Sequence, residues 1–304
     1  MKSVLLCLGL STGLSVSSLA LAPTALASAE SEHCQPSGNA GFVCGLQNPE
    51  DLVRIPGTTW IIASGMAPGA GLYLVDADEK NWTSIYPGDE LRSQPDSAIY
   101  GACTEPPDPE SLVTHGLNLR PGQDGQFILY VVGHGGREAI EVFRVETSAP
   151  IPVLTWIGCV MTPGAMEANS VASFEDGSLV VTIPLERGKT VSDALAGDNT
   201  GAVYSWSPGD KAMRKVEGTE LPYANGIEVS ADGEEIYVVS SGLFTVGAYT
   251  NTNPSRLLRS TGPLDFIPDN LHMDENGRLI TAGLNVESDA CGTVTRTREF
   301  SLCL

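Results

Sequence analysis

The sequence predicts an all-β fold, a β-propeller of repeated blades, and three observations support it. A segment recurs in which a polar residue precedes an apolar run, an Asp-Gly or Asn-Gly turn and a second apolar run. Clear copies begin at Asn169, Asn225 and Asn270, and looser copies begin at Glu50 and His115. The starts lie 45–65 residues apart, which is room for about four short strands, the content of one blade. The 33 glycines and 20 prolines also suit many short strands joined by turns.

Apolar runs predict the strands of these blades in chain order. Proline-containing segments at 94–112 and 184–200 interrupt the pattern, and we expect loops there because proline cannot donate to a strand ladder. The predicted strands are 52–53, 60–63, 71–75, 127–132, 140–145, 178–182, 202–206, 235–239 and 278–281.

The first 27 residues have the features of an export signal. Lys2 provides a positive start, an apolar stretch follows, and Ala25-Leu26-Ala27 is a small-x-small cleavage pattern. We therefore expect a cleaved signal peptide at 1–27 and a single propeller domain at 28–304. The mature protein is expected to be periplasmic or secreted, without a stable membrane anchor.

Charge and cysteine content narrow the possible partners and the compartment. A formal net charge of −20 argues against nucleic acid or an anionic membrane as a partner. Outside the signal the chain has six cysteines, and an even number in an exported chain predicts disulfides whose pairing stays open. A bond from Cys303 to Cys34 or Cys44 would lock the closure of the ring. The oligomeric state is not predicted.

The repeat starts are expected to meet at one place. In a propeller the innermost strand of each blade begins near one end of the central channel, so equivalent starts converge. Asn and Asp also precede strands simply because they bind nearby backbone, but recurrence of the same chemistry at the same position favours a metal site. Oxygen ligands suit a hard cation such as calcium. The convergent set is Glu50, His115, Asn169, Asn225, Asp269 and Asn270.

Two histidines are candidates for proton transfer. His115 is a repeat start, and His134 follows the predicted strand 127–132. A hairpin between them would bring the two imidazoles together beside the cation, where they could form a proton-transfer pair. The cation would polarise a carbonyl attacked by water. The alternative is that both histidines only cap strands through hydrogen bonds. His272 is expected to be structural.

Five segments carry a family resemblance. They are Thr114-His115-Gly116-Leu117, Leu129-Tyr130-Val131-Val132-Gly133-His134, Glu141-Val142-Phe143-Arg144, the run 223–233 that contains Ala224-Asn225-Gly226-Ile227, and Pro268-Asp269-Asn270. These segments resemble the paraoxonases (arylesterases), within a wider group of gluconolactonase-like and strictosidine-synthase-like propellers. The contexts of His115 and His134 are the part that resembles paraoxonases in particular.

The resemblance implies a six-bladed propeller with calcium in its channel that hydrolyses lactones and aryl esters. It implies that His115 and His134 form the catalytic dyad. It also implies that Asp51, with the backbone near Leu117, helps to hold a second, structural calcium. The residues implied to hold the catalytic calcium are Glu50, Asn169, Asn225, Asp269 and Asn270.

Two departures from the family pattern leave alternatives open. Ser170 stands where the family has an aspartate ligand of the structural calcium, so the second ion stays open. The second departure is that the family's remaining C-terminal strands are expected to be missing or much shortened after the fifth start. A sixth blade would therefore have to combine the N-terminal segment with residues 293–304. The leading hypothesis is a calcium-dependent hydrolase of a small-molecule ester or lactone. The alternatives are a gluconolactonase-like sugar lactonase and a non-catalytic calcium-binding propeller that acts as a scaffold.

Overall fold

Alternating apolar residues form four-stranded antiparallel sheets along most of the chain in this computed structural model. The structure describes residues 41–285, 287–288 and 292–293. Each four-stranded sheet is a meander in which strands consecutive in sequence pair with one another, as in a propeller blade. The described strands all lie in the unit Val43–Leu304, and of the unit Met1–Phe42 only the last two residues are described.

The blades follow one another in sequence order. Blade 1 contains β1 (Pro49–Arg54), β2 (Trp60–Gly65), β3 (Leu72–Asp76) and β4 (Asn81–Tyr86), and blade 2 contains β5 (Val113–Pro121), β6 (Phe127–His134), β7 (Ala139–Glu146) and β8 (Val153–Met161). Blade 3 contains β9 (Val171–Ser173), β10 (Leu179–Ile183), β11 (Ala202–Trp206) and β12 (Arg214–Lys215), and blade 4 contains β13 (Ala224–Val229), β14 (Glu235–Ser240), β15 (Thr245–Thr250) and β16 (Leu257–Ser260). The hairpin of β17 (Phe266–Met273) and β18 (Leu279–Asn285) follows, and β19 (Glu287–Ser288) pairs with β20 (Gly292–Thr293).

The number of blades differs from the expectation. The described residues form four complete blades and the β17–β18 hairpin, not six blades. The sequence contains five repeat starts, and each start opens one of these five sheets. The count of six came from the family resemblance alone. A last blade closed by the N-terminal segment and residues 293–304 lies outside the described residues, apart from Thr293 in β20.

Each predicted strand overlaps an observed strand, but one predicted loop contains a helix. Within 184–200 the chain forms a short helix, α1 (Val191–Leu195). Its N-cap is Thr190, whose Oγ1 accepts a hydrogen bond from the Asp193 backbone N–H at 3.2 Å. Asp193 in turn accepts the Thr190 N–H at 2.9 Å. This reciprocal pair is a capping box. It is a local sequence signal for a helix, and the prediction of strands and loops did not include it.

The hydrophobic core lies between neighbouring blades. One cluster joins Ile62 and Leu74 of blade 1 to Leu129 and Trp156 of blade 2, and all four are fully buried. A second cluster joins blade 2 to blade 3, and a third joins blade 3 to blade 4. Because full burial of a large apolar side chain stabilises by about 1.5–3 kcal/mol, these contacts fix each blade relative to the next and thereby fix the starts of the inner strands.

Buried hydroxyls and a disulfide add specific ties. Thr114 donates to the Gly71 carbonyl at 2.6 Å and accepts from the Gly65 N–H at 2.7 Å, which links blade 2 to blade 1. Thr182 donates to the Asn225 carbonyl at 2.5 Å, which links blade 3 to blade 4. The disulfide Cys103–Cys159 ties the loop at 94–112 to β8. Cys44 is disulfide-bonded as well, whereas Cys34, Cys303 and the predicted signal peptide lie outside the described residues.

Candidate functional site

The inner strands bring the predicted site residues to one place. β1, β5, β9, β13 and β17 neighbour one another in this order. Asn169 lies two residues before β9, Glu50, His115 and Asn225 lie near the beginning of their strands, and Asn270 lies in the middle of β17. Contact between the first and last starts is direct, because the Asn270 Nδ2 donates to the Glu50 Oε1 at 2.8 Å. Residues 220 positions apart therefore face each other.

An irregularity in the strand pairing recurs at the starts. The register shifts between Pro49 and Leu52 in β1, between Thr114 and Leu117 in β5, and between Ala224 and Ile227 in β13. It shifts again between Pro268 and Leu271 in β17. A β-bulge re-aims the side chains of the residues within it. The residue pairs inside these shifts are Glu50-Asp51, His115-Gly116, Asn225-Gly226 and Asp269-Asn270, so four of the five repeat starts lie at an irregularity of the strand pairing.

Four buried oxygen atoms at these starts lack a hydrogen-bond donor. Among the described residues, the buried side-chain N and O atoms without a partner are Glu50 Oε2, Asn169 Oδ1, Asn225 Oδ1 and Asn270 Oδ1. Leaving such an atom unsatisfied costs about 1–3 kcal/mol each. A hard cation would satisfy all four at once, because carboxylate and amide oxygens are ligands that calcium prefers. The residues present therefore fit a calcium ion.

The amide groups of this set are oriented by their nitrogen atoms. The Asn225 Nδ2 donates to the Ser241 hydroxyl at 3.0 Å, and the Asn270 Nδ2 donates to Glu50. Each Oδ1 is thereby held on the opposite side of its amide. The described residues contain no group of three or more His, Cys, Asp or Glu side chains arranged to hold a metal ion. The candidate site instead depends on asparagine oxygens.

Two carboxylates give the site its negative charge. Burial raises the pKa of Asp269, and the nearby charge of Glu50 raises it further. Burial by itself lowers the pKa of His115, but hydrogen bonding and charge from Glu50, together with the charges of Asp269 and Asp51, raise it overall. The negative charge of Glu50 contributes to both shifts. A bound cation would offset that charge.

The two candidate histidines are in hydrogen-bond contact. Pairing of β5 with β6 sets Val113 opposite His134 and Thr114 opposite Gly133. His115 Nδ1 consequently lies 3.1 Å from His134 Nε2. The other nitrogen, His115 Nε2, lies 3.5 Å from both Glu50 Oε1 and Asn169 Nδ2. His115 thus bridges His134 and the oxygen cluster.

Comparison with known proteins assigns the chain to a family. A family model described as the SMP-30/Gluconolactonase/LRE-like region matches residues 72–297. The chain belongs to this family. Glu50 and Asp51 precede the matched span. No curated protein sequence is significantly similar to the chain.

Solved structures similar to this SMP-30/gluconolactonase family member are distant in sequence. A luciferin-regenerating enzyme is 16% identical with a TM-score of 0.48, and the match covers 79% of this chain and 70% of that one. Regucalcin from Agrobacterium tumefaciens, described as a calcium-binding protein, is 12% identical with a TM-score of 0.46. That match covers 78% of this chain and 68% of regucalcin.

Asp51, the residue predicted to help hold a second calcium, is surrounded by protein donors. Its Oδ1 accepts the Leu52 N–H at 2.8 Å and lies 2.7 Å from His272 Nε2. Its Oδ2 accepts the Leu117 N–H at 2.7 Å. The Asp51 oxygens do not fit an open ligand position in this family member, because a second ion would have to displace His272.

Glu138 had no predicted role, and the contact of His272 was not predicted. Glu138 lies 2.6 Å from His134 Nδ1 through its Oε2. His272, which was expected to be structural, lies 2.7 Å from Asp51 Oδ1 through its Nε2. Neither contact has a sequence signal of its own, because Glu138 follows a turn and His272 reaches across from β17 to β1. His33 lies outside the described residues.

A cavity of about 190 Å³ adjoins His134. Its wall includes Pro107, Leu112 and the ion pair of Arg137 with the buried Glu141. His134 therefore lies between the oxygen cluster, through His115, and a space large enough for a small molecular group. A larger cavity of about 290 Å³ is lined by residues such as Tyr100 and Trp206 and includes none of the predicted site residues.

Proposed function

We propose that this SMP-30/gluconolactonase family member is a calcium-dependent hydrolase of lactones and aryl esters. The observation that supports it best is the group of four donorless buried oxygens next to a histidine pair. Glu50, Asn169, Asn225, Asp269 and Asn270 would hold the ion. Calcium, when bound, would polarise the substrate carbonyl and stabilise the oxyanion.

The histidine pair supplies the acid–base chemistry in this proposal. His115 Nε2 faces the cluster and accepts a proton from the attacking water, while Nδ1 contacts His134. The hydroxide oxygen bonds to the carbonyl carbon, and the bond from that carbon to the ester oxygen breaks. The proton held by His115 then goes to the departing alkoxide or phenoxide. A lactone opens to a hydroxy acid in this way, with no other reactant consumed.

A sugar lactonase that uses the same ion is the second candidate. The family match favours it because gluconolactonase is named in the description of the family. A sugar lactone carries several hydroxyls, and discrimination against analogues without them depends on buried polar groups that bind them. The two candidates differ only in substrate, so one panel of substrates compares them.

We propose that the protein acts after export, in the periplasm or outside the cell, on a small-molecule substrate. The sequence pattern of residues 1–27 and the disulfide Cys103–Cys159 support this location, because disulfides persist in oxidising compartments. In the described part of the chain, no helix has the length and apolar character needed to cross a membrane. The N-terminal sequence of the exported protein, read by mass spectrometry, tests cleavage after Ala27.

The test of the function uses the purified mature protein and a panel of phenyl acetate, simple lactones and glucono-lactone. We expect hydrolysis that stops with excess chelator and returns with calcium. His115→Gln should reduce kcat by roughly 10²–10⁴-fold, the usual contribution of a general base, with calcium affinity and unfolding temperature as controls. Full activity in this variant would exclude the dyad. No hydrolysis by the folded, calcium-loaded wild type would favour the scaffold.

A further inference from the structure

A carboxylate extends the histidine pair into a line of three residues. The Glu138 Oε2 lies 2.6 Å from His134 Nδ1, and the His134 Nε2 lies 3.1 Å from His115 Nδ1. The line ends at His115 Nε2, beside Glu50 and Asn169. The side chains of His134 and Glu138 are only 15% and 18% exposed, so water screens this contact weakly.

The fold holds Glu138 in this position from two sides. It directly precedes β7 and follows a turn at Gly135, whose φ of 101° lies in the region that favours glycine. The Glu138 carbonyl accepts the Thr162 N–H at 3.1 Å and lies 3.2 Å from the Thr162 hydroxyl. The backbone of Glu138 is thus anchored to the segment after β8, while its carboxylate contacts His134.

The neighbouring cation, Arg137, contacts groups other than the Glu138 carboxylate. Arg137 directs Nε and Nη2 to the buried carboxylate of Glu141, at 2.6 Å and 2.8 Å. Its Nη1 donates to the Glu105 carbonyl at 3.0 Å. The Arg137 guanidinium is therefore engaged elsewhere, and the Glu138 carboxylate acts on His134.

We propose that Glu138 is a positioning residue that fixes the tautomers of both histidines in series. An ionised carboxylate only accepts hydrogen bonds, so the proton on neutral His134 must lie on Nδ1. His134 Nε2 is then an acceptor, and the proton on neutral His115 must lie on Nδ1. The lone pair of His115 is thereby left on Nε2, the nitrogen that faces the oxygen cluster. This inference rests on the proposed function.

Nitrogen NMR tests the tautomers without reference to activity. The chain contains four histidines, so ¹⁵N-histidine labelling gives a spectrum in which His115 and His134 can be assigned by substitution. We expect both rings of the calcium-loaded wild type to carry the proton on Nδ1. In Glu138→Gln the amide can donate to His134 Nδ1, so the spectrum should show the Nε2–H form or a mixture. An Nε2–H tautomer for His134 in the wild type would overturn the proposal.

Kinetics test the catalytic consequence with a matched control. Glu138→Gln should lower kcat at least about tenfold. The loss should not exceed the ~10²–10⁴-fold that a general base contributes. KM should change little, because Glu138 does not touch the substrate. Glu146→Gln removes a carboxylate at the far end of β7 that forms a partly exposed ion pair with Arg144, and it should leave kcat unchanged.

The NMR and kinetic measurements together distinguish a failure of the positioning role of Glu138 from a failure of the proposed function. Equal kcat values for Glu138→Gln and Glu146→Gln would overturn the positioning role. A wild type with the expected tautomers that hydrolyses no substrate would overturn the proposed function and leave the tautomer assignment standing. Unfolding temperatures of all variants show whether the fold is retained.

Discussion

At the scale of single residues, the site is defined by oxygens that the protein itself does not satisfy. Buried polar atoms in proteins almost always have hydrogen-bond partners. The described exceptions are Glu50 and three asparagines at repeat starts. Glu50 is central because it also contacts Asn270 and lies near His115. A residue that joins two others in this way should dominate the affinity for the ion.

We predict that Glu50→Gln weakens calcium binding by at least the ~10–100-fold that loss of an outer-shell partner costs. The substitution keeps the size of the side chain and removes its negative charge. Isothermal titration calorimetry measures the affinity. Asp232→Asn is the matched control, since it removes a carboxylate from the exposed turn of blade 4. Equal affinities in the two variants would contradict the assignment of Glu50 as a ligand.

At the scale of strands, each start is shaped by the next blade. A Cβ on Gly226 would lie 2.7 Å from the Leu271 nitrogen and 2.9 Å from the Asn270 carbonyl carbon. A Cβ on Gly116 would lie 2.8 Å from the Ser170 Cα. The glycine that follows His115 and Asn225 is therefore required by close packing of neighbouring inner strands. The same packing sets where the next ligand lies.

Replacing Gly226 with alanine should test this packing. We expect a loss of about 1–3 kcal/mol in the free energy of unfolding, the usual cost of overpacking, together with weaker calcium binding because Asp269 and Asn270 must move. Chemical denaturation and calorimetry measure the two effects. Gly262→Ala serves as control, because no atom lies within 4 Å of its added Cβ. Similar free energies of unfolding for both variants would show that the inner strands accommodate the added methyl group without loss of stability.

At the scale of the whole molecule, one ion would join strands that are far apart in sequence. Its proposed ligands belong to β1, β13 and β17, and one of them, Asn169, lies two residues before β9. A ligand that binds only the folded chain stabilises it in proportion to its concentration. Calcium should therefore stabilise the ring as a unit and not one blade alone.

We predict that calcium raises the melting temperature by about 5–10 °C at a free concentration of 100 times Kd. Binding at that level contributes about 2.7 kcal/mol, and each kcal/mol shifts the melting temperature of a domain of this size by about 2–4 °C. Differential scanning calorimetry measures the shift. In Glu50→Gln the shift at the same calcium concentration should be much smaller. An unchanged melting temperature in the wild type would argue against an ion in the ring.

The strands and the convergence of the repeat starts could be predicted from the sequence. The number of blades and the contacts of Glu138 and Asp51 could not. Periodic apolar runs and Asp-Gly turns identify strands locally, and repetition identifies equivalent positions such as Asn169 and Asn225. The six-blade count was wrong for the described residues because it depended on resemblance and not on a sixth repeat. Glu138 was missed because its partner is set by the path of a turn, and the Asp51–His272 contact was missed because it crosses between distant strands.

The bulges have a consequence for how such a protein changes in evolution. Each repeat presents one or two side chains to the axis, while its apolar core lies elsewhere, between the blades. A substitution at one start therefore alters one corner of the site without disturbing the packing that supports it. Copies that began alike can in this way diverge into glutamate, histidine and asparagine. An architecture of near-identical units can thus contain a site whose proposed acid–base residues, His115 and His134, both belong to blade 2.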